Sequence, residues 1–271
     1  MMNDTHGFSV STLSSDVAAA MVEKNVWTDQ SPVALGRLRL LGISYVDFDG
    51  QMHTDGEMVV LDVVAPYVQR IFKTLYDDRF PLHSIKGMEH FNGDDDAAMG
   101  ANNCSCYNFR AVYGQTGTAR LSMHSYGVAV DFNPIQNPYI FKGVPCPLAG
   151  KDHLDRKAAV PGRIEPYVPL IEENGLWMWG GHWGDEPDLH HFTVPRLVAP
   201  VLATLSPEEG AAFYRTYVDV GVAAAGFLMM TTSDELIQLF RTSDDFDAVY
   251  KQKTADHKLT TPDLSLYQKL R

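Results

Sequence analysis

The chain contains the stretch Ser122-Met123-His124-Ser125-Tyr126-Gly127-Val128-Ala129-Val130-Asp131. His124 and Asp131 are seven residues apart. Side chains on a regular strand alternate with period two, so an unbroken strand would put these two on opposite faces. The backbone must therefore bend between them. Gly127 suits the bend, because without a Cβ it takes conformations closed to other residues. His124 then sits on a loop entering a strand over 128–132, and Asp131 projects from that strand into the same pocket. An imidazole nitrogen and a carboxylate oxygen brought together in this way are two of the three protein ligands of a catalytic zinc.

A third ligand is available in Trp179-Gly180-Gly181-His182-Trp183-Gly184-Asp185-Glu186-Pro187-Asp188-Leu189-His190-His191-Phe192. Asp188 and His191 are three apart, a spacing that one tight turn brings to one side. With His191 on the metal, Asp188 is placed to take a proton from the activated water. Arg110, in Tyr107-Asn108-Phe109-Arg110, supplies a cation for the oxyanion. Singly, each element also fits an ordinary packed turn, a surface histidine or a salt bridge; together they point to metal chemistry.

Outward from these motifs, Ile43, Tyr45 and Val46 precede the turn pair Asp49-Gly50, and Asp55-Gly56 leads into a second strand, Met58-Val59-Val60-Leu61. Asp62 is a candidate cap for a helix carrying Val64, Val68, Ile71, Phe72 and Leu75 at helical spacing. The Gly, Asn and Asp run over 92–103 reads as a surface loop near a cleft. Ile164, Val168 and Ile171 suggest a helix ended by Gly175, and Phe192-Thr193-Val194 a short strand. Strands and helices mix without a regular βαβ rhythm, which favours an α+β fold.

Residues 1–30 read as a tail or loosely docked arm, 31–196 as the catalytic domain and 197–271 as a helical C-terminal extension with a polar end from Lys251. Two capping boxes, Ser206-Pro207-Glu208-Glu209 and Thr232-Ser233-Asp234-Glu235, mark helix starts in the extension.

The chain has 271 residues, 22 Lys plus Arg against 34 Asp plus Glu, and a net charge of −12. Without a basic block it lacks the footprint that neutralises phosphates, so nucleic acid is a poor partner. The longest apolar run, 220–230, is too short for a membrane span, which needs roughly 20 residues. The start lacks the basic and apolar regions of a secretory signal, so the expectation is synthesis in the cytoplasm and action at the cell wall or periplasm after lysis or specialised export. Cys104, Cys106 and Cys146 read as packed or half-exposed thiols, not as a disulfide set or a C-x-x-C site.

The motifs resemble those of the VanY-like and VanX-like D-alanyl-D-alanine metallopeptidases, a family that includes phage L-alanyl-D-glutamate endopeptidases. Ser122, His124, Gly127, Ala129 and Asp131 match Ser-x-His-x-x-Gly-x-Ala-x-Asp. Trp179, Gly180, Gly181, Trp183, Asp188, His191 and Phe192 match the second pattern, Trp-Gly-Gly-x-Trp followed by Asp-x-x-His-Phe. Asn108-Phe109-Arg110 resembles a third segment in changed order. The resemblance covers roughly 35–195. It implies a small antiparallel sheet with flanking helices of the hedgehog/DD-peptidase type, with zinc held by His124, Asp131 and His191. In the same way it implies Asp188 as general base and Arg110 as the oxyanion-binding side chain. Position 190, often Gln in the family, is His190 here and is an alternative ligand.

The resulting expectation is a zinc-dependent peptidase acting on peptidoglycan stem peptides or their cross-links. An endopeptidase, such as a lysin or a delivered antibacterial effector, is favoured. The alternatives are a D-alanyl-D-alanine carboxypeptidase and, from another class, a zinc-binding recognition module without catalysis. The extension is open to wall anchoring, to binding a delivery or partner protein, and to simple packing.

Overall fold

The computed structural model describes residues 7–117, 120–259 and 265–271. Residues 1–6 of the N-terminal arm and part of the polar C-terminal end lie outside the described residues. The fold is α+β, with small antiparallel sheets, flanking helices and a helical C-terminal region.

Strands β1 (Ser9–Thr12), β2 (Leu38–Val46) and β3 (Met52–Leu61) form an antiparallel sheet in that order. The first of these lies in the segment read as a loose arm. Its polar side chains conceal a backbone that pairs with Arg39–Gly42, and the following helix α1 (Ser15–Glu23) is capped by Ser14 and seated by buried Met21. The Asp49-Gly50 turn is closed by Asp47, whose Oδ1 accepts from the Asp49 and Gln51 N–H groups. β3 begins before Asp55-Gly56, not after it. Gly56 lies at a bulge against the Ile43 carbonyl, where a Cβ would come within 2.6 Å.

Helix α2 (Ala65–Asp77) buries Val68, Ile71, Phe72 and Leu75, the spacing read from sequence, and packs on β2. Asp62 is not its cap. The helix starts without a side-chain cap, and Asp62 pairs with Arg37, Oδ2 to Nε at 2.6 Å. Arg37 also donates to the Leu205 and Leu202 carbonyls, so a half-buried ion pair clamps the helical region to the sheet.

The polar stretch 92–103 is also not a loop throughout. It contains α3 (Asp95–Gly100), capped by Asp94, and leads into β5 (Asn103–Cys104), which pairs in parallel with β4 (Ser84–Ile85). Its Asn and Asp residues serve as caps and as buried hydrogen-bonding groups. Asn103 accepts from the Lys86 N–H and the Ser84 hydroxyl and donates to the Lys86 carbonyl.

The site is built on a second antiparallel sheet. After β6 (Ala129–Asp131) comes the hairpin β7 (Tyr139–Phe141) and β8 (Val144–Cys146), then α4 (Val168–Glu173), with Gly175 at φ +93 just beyond it. β9 (Met178–Trp179) and β10 (His191–Thr193) complete the sheet in the order β6-β10-β9.

Beyond β10 run α5 (Val198–Thr204), α6 (Pro207–Val220), α7 (Ala225–Leu228), α8 (Ser233–Thr242), α9 (Phe246–Asp256) and α10 (Ser265–Leu270). Both capping boxes form, Ser206 with Glu209 and Thr232 with Glu235. Buried Tyr214 and Tyr217 of α6 donate to the Asn174 and Gly175 carbonyls, and Leu270 is buried with its carbonyl accepting from the Arg196 N–H. The helical region thus shares one apolar core with the sheets. Among the described residues, no helix is long and apolar enough to cross a membrane.

Candidate metal centre

Ser122 opens a 3-10 turn over Met123–Tyr126, its hydroxyl accepting from the His124 N–H, and Gly127 closes the turn at φ +67. A Cβ on Gly127 would stand 2.7 Å from the Leu61 nitrogen, and the Gly127 carbonyl accepts from that same N–H at 2.9 Å. The turn is pressed onto β3, and the chain leaves it directly as β6. Ser125 locks the neighbouring segment, its hydroxyl accepting from the Arg110 N–H and donating to the Arg110 carbonyl.

In the register of β6 and β10, His191 faces Asp131, so antiparallel pairing puts both side chains on one face. His191 Nδ1 lies 2.9 Å from Asp131 Oδ1. His124 Nε2 lies 3.1 Å from Asp131 Oδ2 and 3.2 Å from His191 Nδ1. The other nitrogen of His124, Nδ1, is 2.5 Å from the Cys106 carbonyl, which commits it to donate a proton and turns Nε2 toward Asp131 and His191. All three residues are buried, and their ligand atoms lie within 4.8 Å of one another. The structure thus brings together His124, Asp131 and His191 as a group able to hold a metal ion.

The charges support that capacity. Burial alone would raise the Asp131 pKa, but the charges of His124 and His190 and hydrogen bonds from His124 and His191 hold it well below the usual carboxylate range. Burial pulls the His191 pKa down despite Asp131, which favours the neutral, coordinating ring. His190 behaves differently. Burial opposes its charge, yet Asp188 and Asp131 more than offset this and raise its pKa to about 9. Its Nδ1 is 2.9 Å from the Asn137 carbonyl and its Nε2 is 2.9 Å from Asp188 Oδ1, against 3.8 Å from Asp131. His190 therefore faces Asp188 and stands outside the three-residue group.

Asp188 is placed by the Trp-Gly-Gly motif. Its N–H donates to the Gly180 carbonyl at 2.9 Å, and a Cβ on Gly180 would stand 2.3 Å from the Asp188 oxygen. The Trp179 indole N–H donates to the Leu189 carbonyl and its ring stacks on Phe192, which secures the turn to β10. The second tryptophan, Trp183, lies against His191 with ring centroids 5.2 Å apart.

Arg110 lines the same cavity, and its guanidinium is already engaged. Nη2 meets Asp95 at 2.8 Å, Nη1 donates to the Ala111 carbonyl, and buried Nε has no partner. Asp95, missed by sequence reasoning, belongs to the stretch read as a loop; its only signal was its place in the first turn after a capping aspartate. Sequence position offers His190 as a ligand; the structure makes it the partner of Asp188. Arg120, Arg196 and Arg271 also line the cavity, and nothing in their sequence neighbourhoods distinguished them. Cys104 and Cys106 are buried and free; burial pushes the Cys104 thiol up to about 12 and the Cys106 thiol well up, so neither offers a thiolate.

Residues 116–194 match the family model described as D-alanyl-D-alanine carboxypeptidase. The match spans both motifs and bears out the resemblance to the VanY-like family; Asp95, Arg110, Arg196 and Arg271 lie outside it. No curated protein and no solved structure matches the chain significantly.

Proposed function

We propose that this chain is a zinc-dependent peptidoglycan peptidase, an endopeptidase cutting an amide bond in the stem peptide or its cross-link. The observation that carries the reading is the convergence of His124, Asp131 and His191 beside Asp188, within the segment that matches a peptidase family. The donor set fits zinc: two imidazole nitrogens and one carboxylate, buried, with one ring oriented by a backbone carbonyl. When bound, zinc supplies Lewis acidity toward water and the scissile carbonyl.

The chain's own groups do the rest. Asp188 takes a proton from the attacking water and returns it to the leaving amine. His190, fixed through Nδ1 at the Asn137 carbonyl, holds the Asp188 carboxylate in position. Arg110, oriented by Asp95, donates to the carbonyl oxygen as negative charge develops there. Trp183 covers one side of the His191 ring and limits water on that side.

An internal cut is supported by the shape of the cleft. The cavity at the cluster adjoins a second one, and the two share walls at Val112, Tyr113, Arg120, Tyr139 and Arg271, so the cleft runs on toward Phe141 and Glu186. A cleft that continues past the reacting bond accommodates a peptide on both sides of it. The test is to incubate the protein with intact sacculi and with soluble pentapeptide, with and without a chelator, and to map products by mass spectrometry. Internal stem products, abolished by chelation and restored by zinc, are expected. Release of terminal D-Ala alone overturns the endopeptidase half and makes the protein a carboxypeptidase; no product from either substrate leaves the non-catalytic zinc module.

A further inference from the structure

The cavity carries a charged feature that this hydrolysis does not use. Arg120, Arg196 and Arg271 line it together with His124, Asp131 and His191, although they come from three separate segments of the chain. The protein is acidic, with a net charge of −12, yet among the described residues no carboxylate forms an ion pair with any of the three. Arg196 is anchored through Nη1 at the Leu121 carbonyl, 2.9 Å away, while its Nε is buried with no partner. Burial and the charges of Arg120 and Arg271 lower its pKa to about 10. The Arg271 guanidinium lies 4.2 Å over the Trp183 ring, whose neighbour is His191.

The carboxylates on the same cavity, Asp95, Asp131 and Asp188, are engaged by Arg110, His124 and His190, so three guanidinium groups gathered without an ion-paired carboxylate are unfavourable, and an anion entering the cleft relieves them. A carboxylate matches this demand, because guanidinium groups present paired donors to its two oxygens. We propose that Arg120, Arg196 and Arg271 form a subsite that binds a free carboxylate of the substrate beside the scissile amide. The inference rests on the peptidase reading above and names the feature its substrate must carry. Two carboxylates of a stem peptide have this chemistry: the α-carboxylate of a γ-linked D-Glu, and the terminal carboxylate of D-Ala.

The test compares stem peptides, each carboxylate present or converted to the carboxamide, on the zinc-loaded full chain. Amidation at one of the two positions is expected to lower kcat/KM at least 10-fold, mainly through KM, and the sensitive position identifies the source. The double variant Arg120→Gln/Arg271→Gln is expected to bring the carboxylate peptide down to the level of its amide. Equal kcat/KM on all peptides, or a variant that still discriminates, overturns the subsite and leaves the peptidase intact. If no peptide is hydrolysed, calorimetric binding decides separately. Tighter binding of the carboxylate form, lost in the double variant, supports the subsite while the peptidase reading falls; equal binding overturns the subsite.

Discussion

On the floor of the cleft, Asp131 and His191 face each other across paired strands, and His124 is oriented by the Cys106 carbonyl from a turn pressed onto β3. On its rim, Arg120, Arg196 and Arg271 arrive from distant segments, with Arg196 held through the Leu121 carbonyl and Arg271 lying over Trp183. The floor is a geometry that backbone pairing imposes, and its members must sit at short, fixed distances. The rim needs only to gather positive charge, and long arginine side chains reach it from many backbone positions. A ligand set therefore leaves a spacing pattern in sequence, whereas a charge set does not.

The contrast is broken most directly on the floor. His191→Ala is expected to abolish zinc binding and hydrolysis together, measured by metal content and turnover on the same preparation. Asp188→Asn should separate the two, keeping zinc while losing about 10²–10⁴-fold in turnover, the usual contribution of a positioned acid–base group. Full activity of that variant removes Asp188 from its role. Gly180→Ala tests whether the floor is as rigid as its contacts imply. The added Cβ meets a backbone oxygen that must move, and misplacing Asp188 by about 1 Å is expected to cost on the order of 10²-fold in kcat, with zinc retained.

Smaller effects are expected away from the cleft. Tyr217→Phe removes a buried hydrogen bond to the Gly175 carbonyl and should destabilise the fold by about 1 kcal/mol in denaturant titration, with turnover unchanged. The smallest effect concerns Glu172, whose pKa burial raises from 4.5 to about 7. Because the folded value is the higher one, stability is fully present below the unfolded pKa and is lost as pH rises through the folded one. Glu172→Gln should thus share the parent's melting temperature at pH 4 and exceed it modestly at pH 8.5. An equal gain at both pH values shows that the carboxylate charge is not the cause.

Sequence reading reached the floor because its evidence is local. Gly127, the flanking histidine and aspartate, and Gly180 each carry a conformational demand that few residues meet, and the capping boxes at Ser206 and Thr232 are equally self-contained. It failed where a side chain serves a distant partner. Asp62 has the look of a helix cap, but its place is decided by Arg37, and the polar run around Asp95 reads as a loop because its buried partners are far away in sequence. β1 escaped notice for a related reason, since a strand paired through its backbone needs no apolar pattern.

The two tyrosine hydroxyls of α6 and the Arg37 clamp have a practical side. They join the helices after Pro195 to the chain just before the Trp-Gly-Gly motif and to the first sheet, through carbonyls that would otherwise be left buried and unpaired. The segment recognisable by its motifs is consequently a poor cassette. Cut out at its sequence borders, or grafted onto another anchor, it would expose the core face under α5 and α6 and lose the supports of its own active turn. Truncation at about residue 200 would report on folding before it reported on wall binding, and the region's role is better probed by point changes on its outer faces.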